Sequence, residues 1–170
     1  GIKEVNRKFF GTLYNTYVFF SLYANIDSFC FSEKIVSIEK RPEIDKWVLS
    51  ELNTLIIATT KFYDNYEPTK ACRLISKFVI DDLSNWYVRL SRRRFWKGSY
   101  EEDKIAAYQT LYECLIAVSK IMAPVAPFYS EKLYRDLNGF TKREIILFSK
   151  ISISWEKAFD STVLCVTSTP

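Results

Sequence analysis

The sequence predicts an all-α fold: an antiparallel bundle of four to five helices joined by short loops, with an irregular or strand-like C-terminal tail. Three observations carry this expectation. Only four glycines occur in 170 residues, too few for the tight turns of an all-β fold. Apolar residues recur at steps of three and four over long stretches. Prolines stand where those stretches begin or break. Apolar residues make up 48% of the chain and aromatics 16%, and a chain of this size buries roughly 70% of its unfolded surface.

The first helix is expected from Lys3 to Asn25, with Val5, Phe9, Leu13, Thr16, Phe20 and Tyr23 on one stripe. Phe10, Tyr14 and Tyr17 lie off it, which implies neighbours on two sides. Asp27 to Arg41 has no clear period and reads as a connection. Pro42 suits the first position of a second helix, because its missing N–H needs no partner there. That helix carries Val48, Leu52, Leu55, Thr59, Phe62 and Tyr66 inward. Pro68 opens a third helix in the same way, with Ile75, Val79, Leu83, Trp86 and Leu90 as its apolar stripe and Gly98 as its stop. Ser99 and Glu102 have the spacing of a capping box for a fourth, whose stripe is Tyr108, Leu111, Leu115, Val118 and Met122. Pro124 and Pro127 break it. A fifth helix follows, with Tyr129, Leu133 and Leu137 on one face and Gly139 at its end. The bundle thus spans residues 1–138. Residues 139–170 form an atypical tail, in which Ile151, Ile153 and Trp155 alternate with serines as in a strand.

Composition excludes several chemistries. The chain has no histidine, so Ser-His-Asp triads, Cys-His pairs and histidine metal ligands are ruled out. Cys30, Cys72, Cys114 and Cys165 are far apart in sequence and form no CxxC motif. They read as free thiols in a reducing, cytoplasmic setting. No stretch is apolar enough for a membrane span. Asp81 and Asp82 are adjacent and point apart on a helix, so they make no acid–base pair. No catalytic, cofactor or metal site is expected. The chain opens on Gly1 without a methionine, which reads as an excised segment.

Charge is uneven. The net charge is +4, yet Lys70 to Lys97 holds eight basic residues and two acidic ones. On a helix, Asp82, Asn85, Arg89, Arg92, Arg93 and Trp96 fall on one face, with Leu83, Trp86 and Leu90 on the other. Arg94 lies nearer the apolar side. Arg89, Arg92 and Arg93 repel one another at a cost of roughly 0.2–0.5 kcal/mol per pair. A bound polyanion removes that cost: guanidinium groups engage phosphate in bidentate fashion and Trp96 can stack on a base. A solvated face at a helix C-terminus and an acidic protein partner are the competing readings.

The run Asn85-Trp-Tyr-Val-Arg-Leu-Ser-Arg-Arg-Arg-Phe-Trp96 resembles the characteristic helix of the isoleucyl-tRNA synthetases. The segments at Arg7–Asn25, Arg41–Ile56, Tyr66–Phe78 and Met122–Tyr134 agree in order, so the resemblance covers nearly all of residues 5–138. It implies the anticodon-binding helical bundle of a class I synthetase. The valyl, leucyl and methionyl relatives share that bundle. In such an enzyme isoleucine is activated with ATP and Mg and passed to its tRNA, but the nucleotide-site motifs and the editing domain are absent here. The resemblance therefore implies a non-catalytic module, with the isoleucine tRNA and the remaining synthetase domains as partners. Asn85, Arg89, Arg92, Arg93, Arg94 and Trp96 are its candidate tRNA-binding residues. After Asn138 the sequence departs from the family pattern, and nothing is carried over there.

Overall fold

The computed structural model describes residues 2–31, 35–97, 99 and 101–138. The expectations for Gly98, for Gly139 and for the tail at 139–170 lie outside them. Among the described residues the chain forms five helical rods: α1 (residues 2–26), α2 (Glu43–Asp64), α3 (residues 68–96), α4 (Glu102–Met122) and α5 (Pro127–Asn138). A short 3-10 turn, Ile38–Lys40, lies in the connection between α1 and α2.

The rod α4 is the axis. It touches all four other helices and is buried on nearly every side, Tyr108, Leu111, Leu115, Val118 and Met122 among its core residues. A helix enclosed by neighbours needs no polar face. An aromatic cluster fills the centre. Tyr108 meets Phe20, Phe29 and Phe95, with Phe95 at 5.0 Å and 81°. Phe95 in turn meets Phe19 of α1 edge-on at 5.1 Å. Phe10 packs on Tyr129 of α5, so α1 does touch neighbours on two sides, while Tyr14 stays exposed.

Two helices close without glycine. At the end of α1 Ser28 is left-handed (φ 53), and at the end of α2 Tyr66 is (φ 57). In each case the next N–H reaches back over the last turn: Phe29 to the Ala24 carbonyl and Glu67 to the Phe62 carbonyl, both at 2.8 Å. These are the bonds of the Schellman closure. The conformation turns Tyr66 out to 92% exposure, against the expectation that it faces the core.

The larger departure is in α3. Its middle, Phe78–Val88, is π-helical, flanked by α-helical Pro68–Lys77 and Arg89–Trp96. The i→i+5 bond widens the turn, so residues no longer return to a face every 3.6 positions. Ile75, Val79, Leu83, Tyr87, Ser91 and Phe95 are all buried, a step of four throughout. Trp86 and Leu90, expected in the core, are 60% and 57% exposed. A shorter π segment, Asn6–Phe10, lies in α1, and Val5 before it is exposed.

Two helix starts differ in detail. Pro42 is the cap before α2 rather than its first residue. Ser99 does not cap α4: extended Glu101 (ψ 169) does, without a side-chain bond. Glu102 and Asp103 still occupy the first turn, where carboxylates favour the helix dipole.

Buried polar groups fasten the long connection to α4. Arg41 is almost fully buried. It donates to the Val36 carbonyl, to Thr110 Oγ1 and to Glu113 Oε1, while Gln109 Oε1 accepts from the Val36 N–H. Asp27 accepts from Tyr108 and pairs with Lys104. Burial acts to raise the Asp27 carboxyl, but the hydrogen bonds from Lys104 and Tyr108 outweigh it and hold the group below the usual carboxylate range.

Candidate nucleic-acid interface

The basic end of α3 is built from its last two turns, Arg89–Trp96. Ser91 and Phe95 point inward. Asn85, Arg89, Arg92, Arg93 and Trp96 are exposed, and Trp96 is 59% open. Arg89, Arg92 and Arg93 make no ion pair among the described residues, so their mutual repulsion is not offset there. Arg89 and Arg93 are one turn apart, as are Arg92 and Trp96, which gives a basic crest with an aromatic at its end.

Arg94 behaves differently. Its guanidinium grips Asp45 of α2 in a bidentate pair, Nη1 to Oδ1 at 2.6 Å and Nη2 to Oδ2 at 2.9 Å. It also donates to the Asp103 carboxylate and carbonyl at the start of α4. Tyr87, fully buried, donates its hydroxyl to Asp45 Oδ1 at 2.9 Å. Burial alone would lower the Arg94 pKa, yet the bonds and charge of Asp45 more than reverse this and keep it cationic. Burial and then the Asp45 charge push the Tyr87 hydroxyl well above its usual range, so it stays a donor. Arg94 is thus neutralised within the chain and does not stand on the open crest with the other arginines. Its inward tilt was legible from the helical wheel. Its partners were not: Asp45 lies 49 positions from Arg94 in sequence.

The five remaining candidates therefore share an outward face, while Arg94 fixes that face to α2 and α4. Among the described residues no group of three or more Cys, Asp or Glu could hold a metal ion, and no helix is long and apolar enough to cross a membrane. Cys30 and Cys72 are half-buried and Cys114 is buried.

Comparison with known proteins bears on the family of the chain. Residues 45–164 match the family described as the anticodon-binding domain of tRNA ligase, a range that runs past the last described helix. The chain is 60% identical over 147 residues to an isoleucine–tRNA ligase of Bacteroides fragilis, covering 86% of this chain and 13% of that protein. It is 63% identical over 139 residues to the isoleucine–tRNA ligase of Porphyromonas gingivalis, covering 82% and 12%. With that of Thermoplasma volcanium it shares 46% identity over 138 residues, covering 81% and 13%. The chain spans about an eighth of the length of these relatives. With its all-helical bundle and a match over most of its residues, the chain belongs to the anticodon-binding domain family of the tRNA ligases.

Proposed function

We propose that this chain is the tRNA-binding module of an isoleucine–tRNA ligase and holds the anticodon stem and loop. In the longer enzyme it would support ATP-dependent attachment of isoleucine, with Mg, while performing no chemistry itself. The observation that carries the reading is the crest of Arg89, Arg92 and Arg93, exposed and without carboxylate partners among the described residues, in a chain of anticodon-binding family. Phosphate oxygens are the ligand that guanidinium forks fit best. Asn85 and Trp96, on the same face, would position or stack on nucleotides. Arg94 takes no direct contact in this reading; it braces the helix that bears the others. The reading also puts the protein in the cytoplasm, where thiols stay reduced.

The test is a salt titration of binding to isoleucine tRNA and to an unrelated tRNA. Each phosphate contact contributes about 0.7–0.9 to the slope of log K against log salt. Arg92→Ala is expected to weaken binding and to flatten that slope by about one contact's worth. An unchanged affinity and slope would remove Arg92 from the interface. Failure of the unaltered chain to bind any tRNA at low salt would remove the reading itself.

A further inference from the structure

The outward edge of α3 is straighter than a uniform α-helix allows. From Ile75 to Phe95 the core residues recur at a step of four. The same step recurs two positions away, on the opposite side: Arg73, Lys77, Asp81, Asn85, Arg89 and Arg93 are all exposed. On a uniform α-helix the path from Arg73 to Arg93 drifts by about 200°, and its two ends would face opposite ways. The π-helical turns of Phe78–Val88 take up that drift. They also place Asp81 on the ridge, where a wheel at 100° per residue puts Asp82, which is half-buried.

This ridge has two basic patches with an acid between them. Arg73 and Lys77 stand one turn apart in its first half, Arg89 and Arg93 one turn apart in its second, and Asp81 and Asn85 lie in the gap. Arg73 and Lys77, like the arginines of the crest, form no ion pair among the described residues. The Asp82 carboxyl is raised, first by partial burial and then by the Glu51 charge, with Lys77 acting the other way. Lys77 thus feels that carboxylate without closing on it. Lys77 and Arg89 are twelve positions apart, at most about 18 Å along the helix.

The pattern selects among nucleic acids. A single strand laid along the ridge would carry its phosphates over Asp81 and be repelled there. An A-form duplex crosses it differently. Its wide, shallow minor groove sets two phosphate ridges apart and shows 2′-hydroxyls between them. Arg73 with Lys77 then meets one line of phosphates, Arg89 with Arg93 the other, and Asp81 and Asn85 face the groove. A carboxylate accepts from a hydroxyl, and an amide both accepts and donates, so the acid in the gap becomes a ligand instead of a repellent. We propose that Arg73, Lys77 and Asp81 form a second contact region, for double-stranded RNA, with Arg73 and Lys77 on backbone phosphates and Asp81 on a 2′-hydroxyl. A stem then lies across α3 with its minor groove on the ridge. The proposal rests on the reading of the chain as a tRNA-binding module and adds to it a site on the first half of α3, away from the crest.

Salt titrations of the 170-residue chain against three probes test it: the anticodon arm of isoleucine tRNA as a hairpin, the same hairpin with a 2′-fluoro stem, which keeps the A form without the hydroxyl donor, and the loop as a single strand. The double variant Arg73→Ala/Lys77→Ala should flatten the slope of log K against log salt on the hairpin by roughly 1.4–1.8, two phosphates' worth, and leave it unchanged on the single strand. The 2′-fluoro stem should bind the unaltered chain several-fold more weakly, and Asp81→Ala should remove most of that preference. All three side chains are exposed, so neither variant should move the denaturant midpoint, and Arg73→Lys/Lys77→Arg should keep the unaltered slope. An unchanged hairpin slope for the double variant, beside a flattened one for Arg92→Ala, overturns this assignment alone and leaves the first half of the ridge to an acidic protein surface. An equal loss on hairpin and single strand overturns the duplex geometry. Equal affinity for the ribose and 2′-fluoro stems overturns the role of Asp81. Failure of the unaltered chain to bind any probe at low salt sinks the tRNA-binding reading itself, and this site with it.

Discussion

Arg94 and Arg93 are neighbours in sequence with opposite tasks, and the difference is what surrounds each guanidinium. Arg93 meets solvent. Arg94 meets Asp45, which is wholly buried, and Asp103, which is half exposed. Removing one member of a buried pair strands the other charge and costs about 3–5 kcal/mol. Asp45→Ala should therefore destabilise the chain by about that much, since Tyr87 also loses its acceptor. Denaturant unfolding checks this, and a loss under about 1 kcal/mol, the scale of an exposed pair, would show that the contact does not brace the bundle. Arg94→Lys keeps the charge but loses the fork. It should weaken tRNA binding through the orientation of α3 while leaving the salt slope unchanged, in contrast to Arg92→Ala. A flattened slope for Arg94→Lys would return it to the contact face.

The elements were largely legible from sequence because periodicity and proline placement are local signals. Pro68 opens α3 as expected, and the α4 stripe is buried throughout. In α3 the expected stripe failed where the helix is not an α-helix. A wheel drawn at 100° per residue puts Trp86 and Leu90 inside; the π segment moves the core to Tyr87, Ser91 and Phe95. A period read at 100° per residue does not announce this. Phe95 is the packing group that matters most at the end of the element. It contacts Phe19 and Tyr23 of α1 and Tyr108 of α4 and is almost fully buried. Phe95→Ala should cost about 3–5 kcal/mol, read by denaturant midpoint. Phe95→Leu should cost clearly less, and equal effects of the two would mean that the ring contacts contribute nothing beyond volume.

At the scale of the molecule, polar ties locate the connection between α1 and α2 along α4. The Asp27 carboxyl is held below its ordinary value of 3.8. Its contribution to stability is therefore complete above that value and is lost as the pH falls through the lowered one. Denaturant midpoints should drop in acid, and Asp27→Asn should lower stability at neutral pH while removing part of that acid dependence. If the acid profile of Asp27→Asn parallels the unaltered chain, the tie to Lys104 and Tyr108 is not what acid breaks.

The candidate site divides along the same line. Arg89, Arg92 and Arg93 could be placed on one outward face from spacing alone, because i, i+3 and i+4 positions share a face on any α-helical turn. The braced role of Arg94 and the exposed pair of tryptophans could not, because each depends on which residues of α2 and α4 come to lie beside α3.

By itself the sequence determined that this chain is a helical bundle with a basic crest, since both follow from composition and from repeats a few residues long. Only the tertiary structure decided where α3 widens, which aromatics reach solvent and which arginine is neutralised. Those outcomes turn on contacts between residues tens of positions apart, whose energies exceed the local preferences they override.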